Sequence, residues 1–301
     1  MSKIKKPIDL KMQALIKALI YGQPGIGKTT MSLSMPAPLM IDCDRGIHRV
    51  EPRFLTDTVE VESWTDVDDV LNENLSAYQT VVFDTGGKLI EYMTAHILSV
   101  YPKMKQATGQ MSLQGYGIRK QMFQTLLARI HQLGKHVVFV AHEREDKDDD
   151  TRYVRPEIGG SSGNDLIKEL DLVGYMESIG TKRVIRFNPT EKFYAKNSLA
   201  LPDPINVPHI DEGNTFMTDI VTLYHKHVDE KVKKGEEYSE LMGIIQGNIE
   251  DVKDAETANN FIEWIPSVNH IWDSTAQARK LLVQKAKDLN LKFDKKTNQY
   301  K

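Results

Sequence analysis

A glycine-rich segment that ends in a lysine and two threonines carries the residue types needed to hold a chain of phosphates. Residues 22–29, GQPGIGKT, match the pattern GxxxxGK[ST]. Apolar residues between 15 and 20 predict a buried strand before it, and Thr29 and Thr30 are predicted to open a helix. Glycines let backbone N–H groups curl around an anion where a Cβ would clash. The segment therefore predicts a phosphate-binding loop, in which the Lys28 ammonium and the positive end of the helix dipole face the anion.

This loop predicts binding of ATP together with Mg²⁺. The Thr29 hydroxyl is the predicted magnesium ligand within the loop, because Mg²⁺ prefers oxygen ligands. A glycine turn followed by a surface lysine is the alternative, but the strand and the helix both fall where phosphate binding requires them. The residues predicted to contact the nucleotide are Gly22, Gln23, Pro24, Gly25, Ile26, Gly27, Lys28, Thr29 and Thr30.

Polar residues follow three further predicted strands. They are Asp44, Asp84, and the pair His142 and Glu143, each at the end of an apolar run. The carboxyl ends of parallel strands meet at one edge of a sheet, which is where open α/β folds bind their ligands. Asp84 has the pattern of a Walker B acid and is predicted to hold Mg²⁺ through water. A helix cap is the alternative for Asp84, and a strand-end cap is the alternative for His142.

Composition limits the class of protein and its partners. A chain of 301 residues with 40% hydrophobic and 27% charged residues can bury one substantial core and a small second one. With a net charge of −3, contact with nucleic acid must come from a local patch or from loops. The single cysteine, Cys43, fits a reducing compartment, so the cytoplasm is predicted. No run is long and apolar enough to predict a membrane span.

Two polar, glycine-punctuated segments are predicted to be surface loops that bind a partner. The first is residues 103–117, which we expect to be mobile, and the second is residues 143–165, which is acidic before it becomes basic. Lysines and arginines in them could contact phosphates, while tyrosines offer faces for base stacking. The acidic run 145–150 should repel DNA, so we expect it to face away. The candidate residues are Lys103, Lys105, Tyr116, Arg152, Tyr153 and Arg155.

The order of predicted elements favours an α/β fold, with a mainly parallel central sheet flanked by helices. Residues 173–179 and 184–187 predict a β-hairpin around Gly180. Beyond residue 210 the apolar spacing becomes helical throughout. We therefore predict a basic arm at 1–13, an α/β nucleotide-binding core at 14–210, and a helical C-terminal region at 211–301.

With these motifs in this order, residues 14–202 resemble the ATPase core of the RecA recombinase family. The resemblance implies that Asp44, where the family has Glu, polarises the attacking water. If Asp44 does not have this role, Glu143 or a neighbour is expected to have it. His142 falls where the family has a glutamine that reports the γ-phosphate. Lys196 matches an element that supplies lysines across a subunit interface. The family likeness thus implies head-to-tail assembly into a ring or filament with ATP between subunits.

Three shorter motifs resemble phage-encoded ATP-binding proteins that have a RecA core and anneal single-stranded DNA. They are Trp64-Thr65-Asp66, VVFVAHE at 137–143 and FYAKN at 193–197. This likeness implies DNA recombination in a host cytoplasm, with single-stranded DNA and a single-strand DNA-binding protein as partners. The alternatives are a nucleotide-gated switch for a protein partner and an AAA-type remodelling ATPase, which needs an arginine-bearing helical lid after the core.

Overall fold

The structure is a computed structural model, and it describes residues 15–148, 151–159, 167–209 and 214–301. The chain divides into two compact units, one within Gln13–His225 and the other including Lys226–Lys301. The predicted basic arm at 1–13 lies outside the described residues. None of the described helices has the length and apolar character that crossing a membrane requires.

The first unit is built on a sheet to which ten described strands belong. The strands are β1 Lys17–Gly22, β2 Pro38–Asp42, β3 Thr58–Glu60, β4 Thr80–Asp84, β5 His136–Asp148, β6 Thr151–Pro156, β7 Leu172–Ile179, β8 Lys182–Arg186, β9 Lys196–Asn197 and β10 Ile205–Val207. Strands β3, β2, β4, β5, β1 and β7 are neighbours in that order and all pair in parallel. β8 and β10 continue the sheet beyond β7 as antiparallel strands, while β6 pairs with β5 and β9 with β7.

Helices cover both faces of this sheet. The helices are α1 Lys28–Ser32, α2 Trp64–Val70, α3 Gly86–Val100, α4 Leu113–Gln132 and α5 Phe216–Glu250. α2, α3 and α4 pack on one face, and α1 with the start of α5 packs on the other. Apolar residues recur at helical spacing in α3 and α4 and are buried as the sequence predicts. The α/β fold with a mainly parallel sheet is therefore confirmed. α5 begins in this unit and continues past its end at His225 into the second unit. The first unit also has 3₁₀ turns at Ile47–Arg49, Pro52–Phe54 and Pro102–Met104.

The first predicted mobile loop, residues 103–117, is instead largely ordered structure. Its second part is the start of α4, where the Ser112 hydroxyl caps the helix by accepting a hydrogen bond from the Gly115 N–H. Gly115, in the first turn of α4, makes room for Met111. A Cβ on this glycine would lie only 2.3 Å from the Met111 Cγ.

The second predicted loop is also wrong over its first part, since β5 runs on through Asp148 and forms a hairpin with β6. Acids of β5 pair with arginines of β6, at 2.9 Å between Asp146 and Arg155 and 3.8 Å between Glu145 and Arg152. Opposite charges on neighbouring strands stabilise such a ladder. Glu145 and Asp146 therefore neutralise the arginines and do not face away from them, while the side chains of 147–150 lie outside the described part. Residues 149–150 and 160–166 lie outside the described part.

The hairpin predicted around Gly180 is confirmed as β7 and β8, and this glycine has a φ of +61°, which suits a left-handed turn position. In the C-terminal region the helical prediction is right for α5, for α6 at Ala255–Trp264 and for α7 at Ser274–Asp288. It misses a terminal hairpin of β11, Phe293–Asp294, and β12, Gln299–Tyr300. Strands of two residues are too short to show an alternating pattern.

A buried histidine makes the stability of the first unit depend on pH. The Nδ1 atom of His136 accepts a hydrogen bond from the Ile16 N–H at 3.0 Å, so this nitrogen must be unprotonated in the folded chain. Burial, followed by the nearby His225, lowers the pKa of His136 to about 4 from an ordinary value of 6.5.

We expect the free energy of unfolding to fall as the pH drops from 6.5 towards 4. In this window the unfolded chain takes up a proton that the folded His136 rejects, a difference of about 3 kcal/mol when complete. His136→Asn keeps an acceptor but does not titrate, so urea unfolding of this variant should show a smaller loss over the same window. If the free energy of unfolding fell by the same amount in the wild type and in His136→Asn, the pH dependence would belong to other groups.

Candidate nucleotide-binding site

The glycine loop after β1 has a backbone that other residues would not allow. Gly25 and Gly27 have φ values of +77° and +95°, in the left-handed region that favours glycine. At Gly22, a Cβ would lie 2.2 Å from the carbonyl oxygen of Met176 on β7. The glycines therefore allow a loop path that bulkier residues would not, and loops of this kind turn backbone amides towards a phosphate group.

The Lys28 side chain is folded into this cradle. Its ammonium donates hydrogen bonds to the carbonyl oxygens of Gly22 at 2.8 Å and Gln23 at 2.7 Å, and only 5% of the residue is exposed. Burial lowers the pKa of Lys28, and the negative charges of Asp84 and Glu143 oppose that effect. A largely desolvated cation held by its own loop can stabilise phosphate charge strongly.

A hydroxyl and a carboxylate meet directly beside this lysine. The Thr29 Oγ1 donates a 2.6 Å hydrogen bond to the Oδ2 of Asp84, at the carboxyl end of β4. The pKa of Asp84 is raised, mainly by burial, and the hydrogen bond from Thr29 partly opposes this rise. The described residues include no cluster of three or more His, Cys, Asp or Glu able to hold a metal ion. A Thr–Asp oxygen pair next to a phosphate cradle instead fits Mg²⁺, which keeps waters and takes few protein ligands.

Two acids at the end of β2 have different tasks. Asp42 is fully buried, and its carboxylate accepts N–H donors from Asp44 at 3.2 Å, Gly46 at 3.0 Å and Ile47 at 2.9 Å. It therefore fixes the loop that follows β2. Asp44 extends into the cavity beside the phosphate loop, and its Oδ2 lies 3.9 Å from the Nη1 of Arg49.

Adjacent residues of a strand point to opposite faces of the sheet, so the side chains of His142 and Glu143 on β5 lie on different faces. His142 lies level with Gly22 on β1 and lines the cavity together with Asp44 and Asp84. Its Nδ1 is buried and has no hydrogen-bond partner among the described residues. Glu143 does not line the cavity and instead accepts a hydrogen bond from the Tyr175 hydroxyl, whose pKa is raised to about 12, mainly by burial. The structure thus groups His142, but not Glu143, with the other site residues.

The cavity has a volume of about 590 Å³ and includes residues that the sequence did not indicate. Arg183 of β8 contacts the phosphate loop directly. Its Nη1 donates a hydrogen bond to the Ile26 carbonyl at 3.3 Å and would lie 2.7 Å from a Cβ at Gly27. Nothing in the local pattern around Arg183 marks it, because only the sheet order carries β8 to the loop. The other lining residues missed are Gly46, Arg49, Val50, Glu51, Arg53, Phe54, Thr85, Val140, Ser178 and His209.

Comparison with known proteins agrees with this site. Residues 14–199, more than half of the chain, match a family model described as an AAA domain. The chain belongs to this AAA domain family. It is also 26% identical over 201 residues to the SPbeta prophage-derived uncharacterized protein YorG of Bacillus subtilis (strain 168). That match covers 59% of this chain and 58% of YorG, so less than two thirds of the relative is spanned. Membership of this P-loop family indicates a nucleotide-binding ATPase domain.

In this AAA domain Lys196 lies away from the chain's own phosphate loop. It pairs with Val173 near the start of β7, whereas the loop lies beside Met176 farther along that strand. The Lys196 ammonium donates to the carbonyl oxygens of Lys168 at 2.9 Å and Leu170 at 2.5 Å. These bonds give it a structural task within the chain, and its role across a subunit interface stays a prediction.

The predicted DNA contacts fall on three different elements. Lys103 and Lys105 are exposed in and just after a 3₁₀ turn, and Tyr116 is half-buried in α4 with the Arg119 guanidinium 4.9 Å from its ring. Tyr153 lies in the β5–β6 hairpin with Arg155 at 4.8 Å over its ring. Each tyrosine thus has an arginine over its ring, where we expected a base.

Lys28→Ala should lower ATP affinity by about 10²-fold or more, because it removes the only cation that the loop itself places at the phosphates. Isothermal titration calorimetry with ATP and Mg²⁺ measures this loss. Lys17→Ala is the matched control, since Lys17 starts the same strand and pairs with Asp171 at 3.8 Å away from the loop. Equal ATP affinity in Lys28→Ala and wild type would exclude this loop as the nucleotide site.

Proposed function

We propose that this protein is a Mg²⁺-dependent ATPase that acts on single-stranded DNA in phage-type recombination, by annealing. The hydrogen bond from Thr29 to Asp84 beside the buried Lys28 carries the ATPase part, because it joins the two oxygen ligands of Mg²⁺ to the phosphate cradle. The family match supports the same conclusion.

Each site residue then has a task in hydrolysis. The loop amides and Lys28 hold the phosphates, and Thr29 with Asp84 hold Mg²⁺, which when bound neutralises charge on the phosphoryl oxygens. Asp44 is the carboxylate that orients water and accepts its proton, since it extends into the cavity from a loop fixed by Asp42. His142 brings a ring nitrogen to the same cavity and senses the nucleotide.

The DNA part of the proposal is supported by the continuity of β5. This strand contains His142 and continues without a break into the hairpin that bears Arg152 and Arg155. A change at His142 can therefore reach the hairpin through one rigid element. Both arginines pair with acids in the hairpin, so phosphates must compete with Glu145 and Asp146. The prophage origin in the name of YorG and the resemblance to phage annealing proteins support the same context.

Two further parts of the proposal concern assembly. Subunits join head to tail in a ring or filament, with Lys196 acting on the neighbour's nucleotide as a charge clamp, and a single-strand DNA-binding protein serves as a partner.

A nucleotide-gated switch or an AAA-type remodelling ATPase is the second candidate function, and the AAA domain match favours it. Such a protein would hydrolyse ATP at a rate that does not depend on DNA.

Asp44→Asn should spare ATP binding and slow turnover by about 10²-fold, because an amide orients water but cannot accept its proton. Steady-state phosphate release gives kcat, and calorimetry gives the affinity. Glu51→Gln is the matched control, since this carboxylate lines the same cavity but pairs with Arg53 at 2.9 Å. An unchanged kcat in Asp44→Asn would assign the proton acceptor to another group.

Single-stranded DNA should stimulate ATP hydrolysis, and replacing both Arg152 and Arg155 by alanine should weaken DNA binding by a similar factor for every sequence. The slope of log affinity against log salt should flatten by about 1.4, because two phosphate contacts are lost. Fluorescence anisotropy with labelled oligonucleotides at several salt concentrations measures both effects. Arg129→Ala is the control, as this arginine pairs with Asp68 outside the hairpin.

The outcomes separate the two candidate functions. Stimulation by DNA with wild-type binding in the double variant would exclude the hairpin as the DNA site. Hydrolysis that is indifferent to DNA, together with no DNA binding, would favour the switch or the remodelling ATPase.

A further inference from the structure

The C-terminal unit carries an apolar groove of about 670 Å³ that the nucleotide site does not use. Its floor is formed by Leu282 and Ala286 of α7, by Ile265 in the 3₁₀ turn Ile265–Ser267 after α6, and by Tyr300 of β12. All four residues are buried in the core of this unit. The groove is thus an opening onto a packed core.

Packing on both sides holds this groove in shape. Residues 274, 278, 282 and 286 of α7 repeat every four positions and are all buried, which fixes the rotation of the helix. The Asn259 side chain of α6 donates to the Tyr300 carbonyl at 3.1 Å and accepts from the Tyr300 N–H at 2.7 Å. Because both walls are fixed before binding, a ligand loses little affinity to ordering the groove.

The rim combines exposed apolar and cationic side chains. Arg279, Val283 and Lys287 follow one another at intervals of four along α7, so they share one face of the helix and line the groove. Val283 is 47% exposed, and Phe293 at the end of the groove is 44% exposed. Within the described residues 226–301, neither Arg279 nor Lys287 forms an ion pair with a carboxylate.

The surrounding sequence strengthens this positive character. Residues 279–301 contain eight lysines and arginines and two acids, a net charge of +6 in a chain whose total is −3. The basic residues are Arg279, Lys280, Lys285, Lys287, Lys292, Lys295, Lys296 and Lys301, and the acids are Asp288 and Asp294. Such a local field attracts and orients an anionic partner.

We propose that this groove binds an acidic peptide segment of a partner protein, in which apolar side chains alternate with carboxylates. The apolar side chains enter the groove over Leu282 and Ala286, and the carboxylates meet Arg279 and Lys287 on the rim. A nucleic acid fits the floor less well, because bases bind by stacking on aromatic faces and the floor is mostly aliphatic. This inference does not rest on the proposed ATPase or DNA activity.

The test uses the full chain and a fluorescein-labelled peptide in which Leu and Phe alternate with Asp. Fluorescence anisotropy should show saturable binding that weakens with salt. Arg279→Glu combined with Lys287→Glu should weaken binding by about tenfold, the scale expected for reversing two exposed charges at a rim. The matched control is Lys280→Glu combined with Lys292→Glu, since both residues are exposed in the same basic segment and neither lines the groove.

Two altered peptides test the apolar part of the interaction. Replacing Asp by Asn, or Leu and Phe by Ser, should each reduce affinity if the groove uses both charge and apolar contact. Equal weakening by the groove variant and the control variant would reduce the interaction to general charge attraction and overturn the proposal. Absence of peptide binding would overturn it as well. Tight binding of labelled oligothymidylate, lost in the groove variant, together with no peptide binding would assign the groove to nucleic acid instead.

Discussion

The parallel register of β2, β4, β5 and β1 is the constraint on which the rest of the structure depends. Asp42 lies opposite Asp84, Asp84 opposite Val140, and His142 opposite Gly22. β1, β2 and β4 therefore end at one edge of the sheet, where β5 carries His142 before it continues into the hairpin. A shift of one residue in any of these pairs would turn the side chains to the other face. The Thr29–Asp84 hydrogen bond can form only because β4 ends level with the loop that follows β1.

Burial of charge at this edge has a cost that local hydrogen bonds must offset. Lys28, Asp42 and Asp84 are all buried, and an unpaired buried charge costs several kcal/mol. Lys28 is satisfied by two carbonyl oxygens, Asp42 by three N–H groups and Asp84 by the Thr29 hydroxyl. Most of these partners are backbone groups, so the chain path itself holds the charges in place.

Sequence was informative where one short segment specifies its own structure. The glycine loop, the apolar strands and the β7–β8 hairpin follow from local patterns, because left-handed glycines and continuous apolar runs act over a few residues. It failed where a contact between two particular side chains, or the order of strands in the sheet, decides the structure. The β5–β6 hairpin depends on charge pairs such as Asp146 with Arg155, and the start of α4 depends on Met111 filling the space at Gly115. Arg183 reaches Ile26 only through the order of strands in the sheet.

Asp42 fixes the backbone after β2, and this backbone places Asp44 beside the phosphate loop. Asp42 takes three backbone N–H groups and so determines the path of the chain directly after β2. One of those N–H groups belongs to Asp44, whose N–H also lies 3.2 Å from the Asp84 carbonyl. Asp44 is therefore fixed by its backbone while its carboxylate stays in the cavity. In the proposed mechanism, this fixed backbone would hold the Asp44 carboxylate beside the phosphate loop although its side chain is shorter than the glutamate of the RecA family.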